Sequence, residues 1–293
     1  MPEELVILSG KGGTGKTSLT AAFAVLAETA VVADCDVDAA DLHLLLAPDT
    51  ERREQFFSGH EAVIDQSICQ QCGVCHDVCR FDAVRIEMDA AGKLSYYIDP
   101  ISCEGCGVCV RLCPDGAIDF PESHCGEWMV SRTRCGPMVH ARLGIAAENS
   151  GKLVSIVRRE ARAVAEAEGR NLLIVDGPPG IGCPAIATLT GATKVLVVTE
   201  PTVSGEYDLA RILSLANHFG LPVALCVNKW DINPGMTEQI EQMARDGGVL
   251  VAGRIPYDPG VTAAQVGMRT IVETDCSSGE SVRQLWQTVQ SFA

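Results

Sequence analysis

Uninterrupted apolar runs, rather than alternating ones, set the frame of this chain. They are LVILS at 5–9, LLIVD at 172–176, KVLVVTE at 194–200, VALCVN at 223–228 and VLVAGRIP at 249–256. Runs of this length read as strands buried on both faces of a parallel sheet. AVVADCDVDAADL at 30–42 reads as a second strand followed by a loop. Between the runs lie helical patterns, among them KLVSIVRREARAVAEAEG at 152–169 and EYDLARILSLANHFG at 206–220. Strands alternating with helices predict an α/β fold, a mostly parallel sheet covered by helices on both faces. The pattern stops near His60 and resumes near Glu122. The expected organisation is therefore a discontinuous sheet domain at 1–60 and 122–293, with a separate unit inserted at 61–121.

Charge narrows the partners. The 23 Lys and Arg against 38 Asp and Glu give a formal net charge of −15. Such a surface repels nucleic acid and anionic lipid, and neither is expected as a partner. The C-terminal stretch SVRQLWQTVQSFA has Val282, Leu285, Trp286, Val289 and Phe292 at helical spacing. A membrane-targeting helix carries Lys and Arg on its polar face, and only Arg283 is present. Packing on the sheet is expected instead, with no stable membrane anchoring. No run approaches a membrane span. The start MPEELVILSG has neither the basic nor the apolar region of a leader, so a cytoplasmic protein is expected.

The inserted stretch carries the most specific chemistry. Cys69, Cys72, Cys75 and Cys79 follow C-x2-C-x2-C-x3-C, and Cys103, Cys106, Cys109 and Cys113 repeat it thirty-four residues later. The flanks repeat too, as a small module written twice. In this spacing three thiolates surround one cluster and the fourth ligates the other. Cys69, Cys72, Cys75 and Cys113 are therefore assigned to one [4Fe–4S] cluster, and Cys79, Cys103, Cys106 and Cys109 to the second. Structural zinc explains eight cysteines in two quartets poorly, and disulfides require an exported chain. The stretch from Ala62 to Phe120 resembles bacterial two-cluster ferredoxins, a small α+β fold. Pro114 follows the second run as in that family, whereas Arg80 stands in the first.

The N-terminus carries a second motif. LVILSGKGGTGKTSLT reads as strand, glycine-rich loop and helix, and Gly10, Lys11, Gly12, Gly13, Thr14, Gly15, Lys16 and Thr17 fit G-x-x-x-x-G-K-[ST]. Glycines let backbone N–H groups curl around phosphate oxygens, and Ser18 follows within the helix N-terminus. Lys16 is expected at the β- and γ-phosphates of ATP or ADP, and the Thr17 hydroxyl on Mg2+.

The second lysine, Lys11, gives GKGGTGKT the deviant Walker A pattern, which resembles the MinD, ParA, Mrp and nitrogenase iron protein group. The resemblance implies an ATP-dependent homodimer, or a heterodimer with a related ATPase, in which Lys11 crosses to the partner's phosphates. A solvated loop lysine is the plainer alternative. By the same resemblance Asp36 orients the attacking water, with Asp34, Asp38 and Asp41 as neighbouring acids, and Asp176 ends a Walker B strand at the Mg2+ shell. DGPPG resembles the Mrp branch. Asn228 in VNKWD, and Pro256 and Asp258 in RIPYD, resemble the segments that contact adenine, though Asn228 also reads as an ordinary turn residue. Cys183 lies seven residues beyond Asp176, where the nitrogenase iron protein has a cysteine holding a cluster across its dimer. This makes Cys183, with Cys125 or Cys135, a candidate extra metal site. A structural cysteine is the alternative, as for Cys35, Cys226 and Cys276. Glu148, Asn149, Ser150 and Lys152 resemble a polar stretch of ferredoxin-inserted MinD-group proteins.

The whole chain thus resembles P-loop ATPases of the CobQ/CobB/MinD/ParA group with an inserted two-cluster ferredoxin domain. Three functions remain in view: ATP-gated low-potential electron transfer, Mrp-like cluster assembly or carriage, and a redox-sensing regulatory ATPase. Fully ligated quartets favour the first, and DGPPG favours the second.

Overall fold

The computed structural model describes residues 2–88, 90, 92–144 and 150–292. The chain begins with β1 (Glu3–Ser9), α1 (Lys16–Ala27), β2 (Val31–Asp34), α2 (Leu42–Leu46) and β3 (Asp49–His60). The cysteine-rich stretch forms β4 (Val63–Ile64), α3 (Val74–Asp77), β5 (Val84–Met88), β6 (Leu94–Ile98), α4 (Val108–Leu112) and β7 (Ile118–Asp119). It is followed by β8 (Glu122–Thr133), β9 (Gly136–Leu143), α5 (Ser150–Ala167), β10 (Leu172–Pro179), α6 (Cys183–Leu189), β11 (Lys194–Thr199) and α7 (Val203–His218). The chain closes with β12 (Val223–Asn228), α8 (Pro234–Asp246), β13 (Leu250–Ile255), α9 (Gly260–Val266) and α10 (Ser277–Ser291).

The large sheet has the order β13-β12-β11-β1-β10-β2-β9-β8-β3. Every apolar run named above is a strand of it, and the β1–β10, β1–β11, β10–β2, β11–β12 and β12–β13 pairs are parallel. Six of the seven residues of β1 are buried, as expected of a central strand with both faces covered. On one face α1 and α10 pack together, with the Phe23 and Trp286 rings 4.8 Å apart. Val282, Leu285, Trp286 and Val289 are all buried in this layer with Leu5, Ile7 and Ile174. The C-terminal helix thus packs on the sheet. On the other face Glu4 of β1 is buried against two arginines of α5: Arg158 Nε lies 2.7 Å from Oε1 and Arg162 Nε 2.9 Å from Oε2. Arg158 also donates to the Ala187 and Thr190 carbonyls around the end of α6. A largely buried triad of this kind fixes the seating of α5 more than it adds net stability. Among the described residues no helix is long and apolar enough to cross a membrane.

The outer strands β9, β8 and β3 are an addition that the apolar runs do not announce. Strand β9 pairs parallel to β2, Val32 opposite Met138, and a two-residue turn connects it back to β8. The outer strands carry exposed ion pairs, Arg53–Glu127 at 3.2 Å and Arg132–Glu51 at 3.0 Å, and the Arg52 guanidinium lies 4.7 Å over Trp128. His140 of β9 is buried, with its Nε2 2.8 Å from Ser131 Oγ. Burial, helped by the nearby charges of His43, Arg142 and Arg53, pushes its pKa down to about 4. In the unfolded chain the same ring titrates near 6.5. The unfolded state therefore binds the extra proton first, and the stability from neutral His140, present above pH about 6.5, is lost as pH falls toward 4. An NMR titration should show the His140 ring neutral at pH 5. A midpoint above 6 would contradict this.

The chain divides into two compact units, the second comprising Gln55–Gly126 and a short segment from Gly144. In the second unit β4 pairs antiparallel with β7 and β5 with β6. Its core is small: Ala62, Ile64, Cys75, Val84 and Ile118. Helices α3 and α4 each start after a left-handed glycine, Gly73 at φ 80° and Gly107 at φ 70°. Gln71 and Gly105 hold equivalent left-handed positions, at φ 61° and 59°. A Cβ at 105 would come within 2.3 Å of the His60 carbonyl, so only glycine fits there. At 71 the glutamine is accepted at a cost of about 1 kcal/mol.

Candidate functional site

The loop between β1 and α1 is shaped by close approaches. Gly13 and Gly15 have φ of 79° and 91°. A Cβ at Gly15 would lie 2.5 Å from Asn228 Nδ2, and one at Gly10 would lie 2.1 Å from Asp208 Cβ. Larger side chains would push the loop off α7 and off the end of β12. Asn228 holds the loop directly, its Nδ2 donating to the Thr14 carbonyl at 2.8 Å. The buried Thr14 hydroxyl has no hydrogen-bond partner, a donor left for a ligand in the loop.

Behind the loop the strand ends bring three acids to one lysine. Lys16 Nζ lies 3.1 Å from Asp36 Oδ2 and 3.4 Å from Asp176 Oδ1. Thr17 Oγ1 donates to Asp176 Oδ2 at 2.7 Å, and Thr20 Oγ1 to Oδ1 at 3.0 Å. Asp34 stands opposite Asp176 in the β2–β10 register, and its Oδ1 accepts from the Asp36 amide at 3.2 Å. Burial pushes the Lys16 ammonium down, but Asp176 and Asp36 outweigh it and hold its pKa above the ordinary lysine value. Burial raises Asp36 against the pull of Lys16. Burial and the facing Asp176 push Asp34 well above the carboxylate range, and its Oδ2 is buried without a partner. The Thr17 hydroxyl and Asp176 carboxylate are hard oxygen donors side by side, the donor set that suits Mg2+.

A hollow of about 530 Å³ runs along Gly12–Ser18 past Asp36, Asp41 and Leu44. A second, of about 220 Å³, shares Gly13, Gly15, Ser18 and Gln265 with it and is walled by Asn228, Pro256, Tyr257 and Asp258. The loop thus lies between two hollows, the second walled also by Leu19, Ile255 and Val261. Asp258 lines the second hollow, but its carboxylate is bound to the fold. It accepts from Gly260 N, Ser277 Oγ, Ser278 N and Ser278 Oγ at 2.8–3.0 Å, which caps α10 and holds its pKa far below normal.

Lys11 lines neither hollow. Its Nζ is 3.3 Å from Glu200 Oε2, 3.3 Å from Thr202 Oγ1 and 3.4 Å from Ser204 Oγ.

In the second unit the eight cysteines line two cavities. Cys69, Cys72, Cys75 and Cys113 surround one, together with Ile64, Val74 and Tyr96. Cys79, Cys103, Cys106 and Cys109 surround the other, together with Ala62, Val84 and Ile98. Among the described residues no three His, Cys, Asp or Glu side chains converge tightly enough for a single metal ion. A lone zinc draws its thiolates to about 2.3 Å from one centre, whereas a four-iron cluster takes them at its corners. Each cavity is ringed by four thiols, the ligand set that a four-iron cluster takes. Of the other cysteines, Cys183 is exposed at the start of α6, whereas Cys125 and Cys135 are buried. Cys125 donates to the Ser58 carbonyl at 3.1 Å, and Cys135 sits in the core with Ala21, Leu42 and Met138. Cys276 immediately precedes α10. Ser150 and Lys152 open α5, while Glu148 and Asn149 lie outside the described residues.

A family model of the CobQ/CobB/MinD/ParA nucleotide-binding domain matches residues 5–271. The chain belongs to that family. Its fold is similar to that of the cell division ATPase MinD from Pyrococcus furiosus, with a TM-score of 0.57 at 17% identity over 100% of both chains. It is 29% identical to Uncharacterized protein MJ0578 of Methanocaldococcus jannaschii, over 99% of this chain and 97% of that one. It is also 27% identical to the iron-sulfur cluster carrier protein of Methanococcus maripaludis, over 41% of this chain and 46% of that protein.

Two further residues of this MinD/ParA-type member enter the site without a role expected from the motifs. Gln265 of α9 donates to Ser18 Oγ at 2.8 Å and borders both hollows. Lys229, left-handed at φ 55°, reaches Glu200 at 2.5 Å and the Gly13 carbonyl at 3.4 Å. Its place directly after Asn228 at a strand end was the only clue.

Proposed function

We propose that this family member is a P-loop ATPase whose ATP-driven dimer switching gates low-potential electron transfer through an inserted two-cluster ferredoxin domain at 61–121. In this reading Gly10–Ser18 cradle the phosphates, Thr17 and Asp176 hold Mg2+, and Asp36 orients the attacking water. Asn228, Pro256 and Asp258 surround the base, and Lys11 reaches a second chain, whether identical or a related ATPase. The carrying observation is the sorting of eight cysteines into two cavities, each holding three from one run and the fourth from the other. Bound there, [4Fe–4S] clusters would supply one-electron chemistry at low potential.

Coupling between the sites is testable because linkage is reciprocal. A shift in cluster potential between nucleotide states equals a difference in nucleotide affinity between oxidised and reduced protein. Redox titrations followed by electron paramagnetic resonance should give potentials that differ between ATP-analogue and ADP forms by about 60 mV or more, a tenfold affinity change for one electron. Potentials indifferent to nucleotide would sink the gating. The similarity to an iron-sulfur cluster carrier supports a second reading, delivery of a cluster to an apo-protein. Loss of iron from this chain to an apo-acceptor would then replace electron transfer.

A further inference from the structure

We infer that Glu200 is a positioning residue that clasps Lys11 within its own chain, and that opening this clasp sets the nucleotide concentration at which two chains assemble. The inference rests on the proposed role of Lys11 in reaching a second chain.

The geometry is that of a filled site. An ammonium has three donors, and those of Lys11 face Glu200 Oε2, Thr202 Oγ1 and Ser204 Oγ, all from one short segment between β11 and the start of α7. The loop is held to the same platform. Ser9 Oγ donates to the Lys11 carbonyl at 2.8 Å, and Gly10 leaves no room for a Cβ against Asp208 of α7. A lysine so held is not presented to another molecule.

The clasp also opens without leaving a bare charge. The other oxygen of Glu200, Oε1, takes Lys229 Nζ at 2.5 Å. The Glu200 side chain is 15% exposed, so an unpaired carboxylate there would be costly. With Lys229 in place, Lys11 can depart while Glu200 keeps a counter-ion. Lys11, at 33% exposure, passes from a screened pair to whatever phosphate charge is offered. A partly exposed pair of this kind is worth up to about fivefold in an equilibrium constant. Two lysines leave per dimer, so the assembly constant carries that factor about squared, roughly 25-fold.

The test is sedimentation velocity of the full chain titrated with AMP-PNP and Mg2+, with analogue affinity measured in parallel by calorimetry. Glu200→Gln is expected to dimerise at about fivefold lower analogue concentration than wild type. Ser204→Ala, which removes one acceptor and leaves both ion pairs, should move the midpoint the same way by less. In a Lys11→Ala background, Glu200→Gln should change neither assembly nor affinity. An unchanged midpoint in both single variants overturns the clasp. So does a Glu200→Gln shift in affinity that persists without Lys11, because Glu200 would then act through Lys229 and the loop. A wild type that binds analogue but never dimerises, and behaves like Lys11→Ala, overturns the clasp together with the dimer reading beneath it. Dimerisation of wild type and Glu200→Gln at one midpoint, abolished by Lys11→Ala, overturns the clasp alone.

Discussion

Replacing Lys16 with alanine is expected to weaken binding of a non-hydrolysable ATP analogue by about a hundredfold or more, whereas Asp36→Ala should bind as well as wild type and lose turnover. The two side chains touch at 3.1 Å, so a simple contact-loss argument would predict similar defects. The surroundings separate them. Removing Lys16 takes away the cation that the proposed function places at the phosphates and leaves Asp176 and Asp36 facing each other, with Asp34 behind. Stranding buried charge in this way costs about 3 kcal/mol or more. Removing Asp36 leaves Lys16 paired with Asp176 at 3.4 Å, and it takes a negative charge away from the place where an anion must enter. A water-positioning carboxylate acts in the transition state, so its loss should lower single-turnover hydrolysis by about a hundredfold or more. Calorimetry with the analogue and rapid-quench hydrolysis separate the two effects. Equal losses of binding in both variants would remove Asp36 from the water-orienting role and make it a structural partner of Lys16.

Much of this arrangement can be read from the chain, for a definite reason. Central parallel strands are buried on both faces, so LVILS, LLIVD and VALCVN announce themselves without knowledge of their neighbours. The glycine-rich loop is equally local, because its glycines, Lys16 and Thr17 fall within one strand–loop–helix unit. The outer strands β3 and β8 carry no such signal. Most of β3 is exposed, and its pairing depends on partners distant in sequence, such as Arg53 with Glu127. Glu200 and Gln265 were hidden for the same reason. Each becomes part of the site only when folding brings residues almost two hundred positions or more apart together, Lys11 to Glu200 and Ser18 to Gln265. Asp258 shows the reverse case. Its place beside the second hollow follows from RIPYD, but three of the four donors that occupy its carboxylate come from Ser277 and Ser278 of α10, which no local pattern around it reveals.

If the proposed clusters are present, replacing Cys79 with alanine is expected to remove the one held by the other run. Cys79 belongs by spacing to the first quartet, yet it lines the cavity of Cys103, Cys106 and Cys109. The crossing follows from the short helix before it. Helix α3 carries Cys75 in its only turn, and the Cys79 amide still bonds to the His76 carbonyl at 3.2 Å, so the chain has left the first cavity by then. Cys113 makes the mirror crossing after α4 and lines the cavity of Cys69, Cys72 and Cys75. Anaerobically reconstituted protein should hold about eight irons per chain. Cys79→Ala should hold about four, with the paramagnetic signal of the remaining cluster unchanged and the magnetic coupling between clusters gone. A Cys79→Ala, Cys103→Ala double variant should lose no more iron than either single variant, because both residues serve one site. Adding Cys69→Ala instead should remove the remaining four irons. If Cys79→Ala with Cys69→Ala still holds four irons, both residues belong to one cluster and the crossed assignment fails. Zinc in place of iron after anaerobic reconstitution would fail the whole cluster reading.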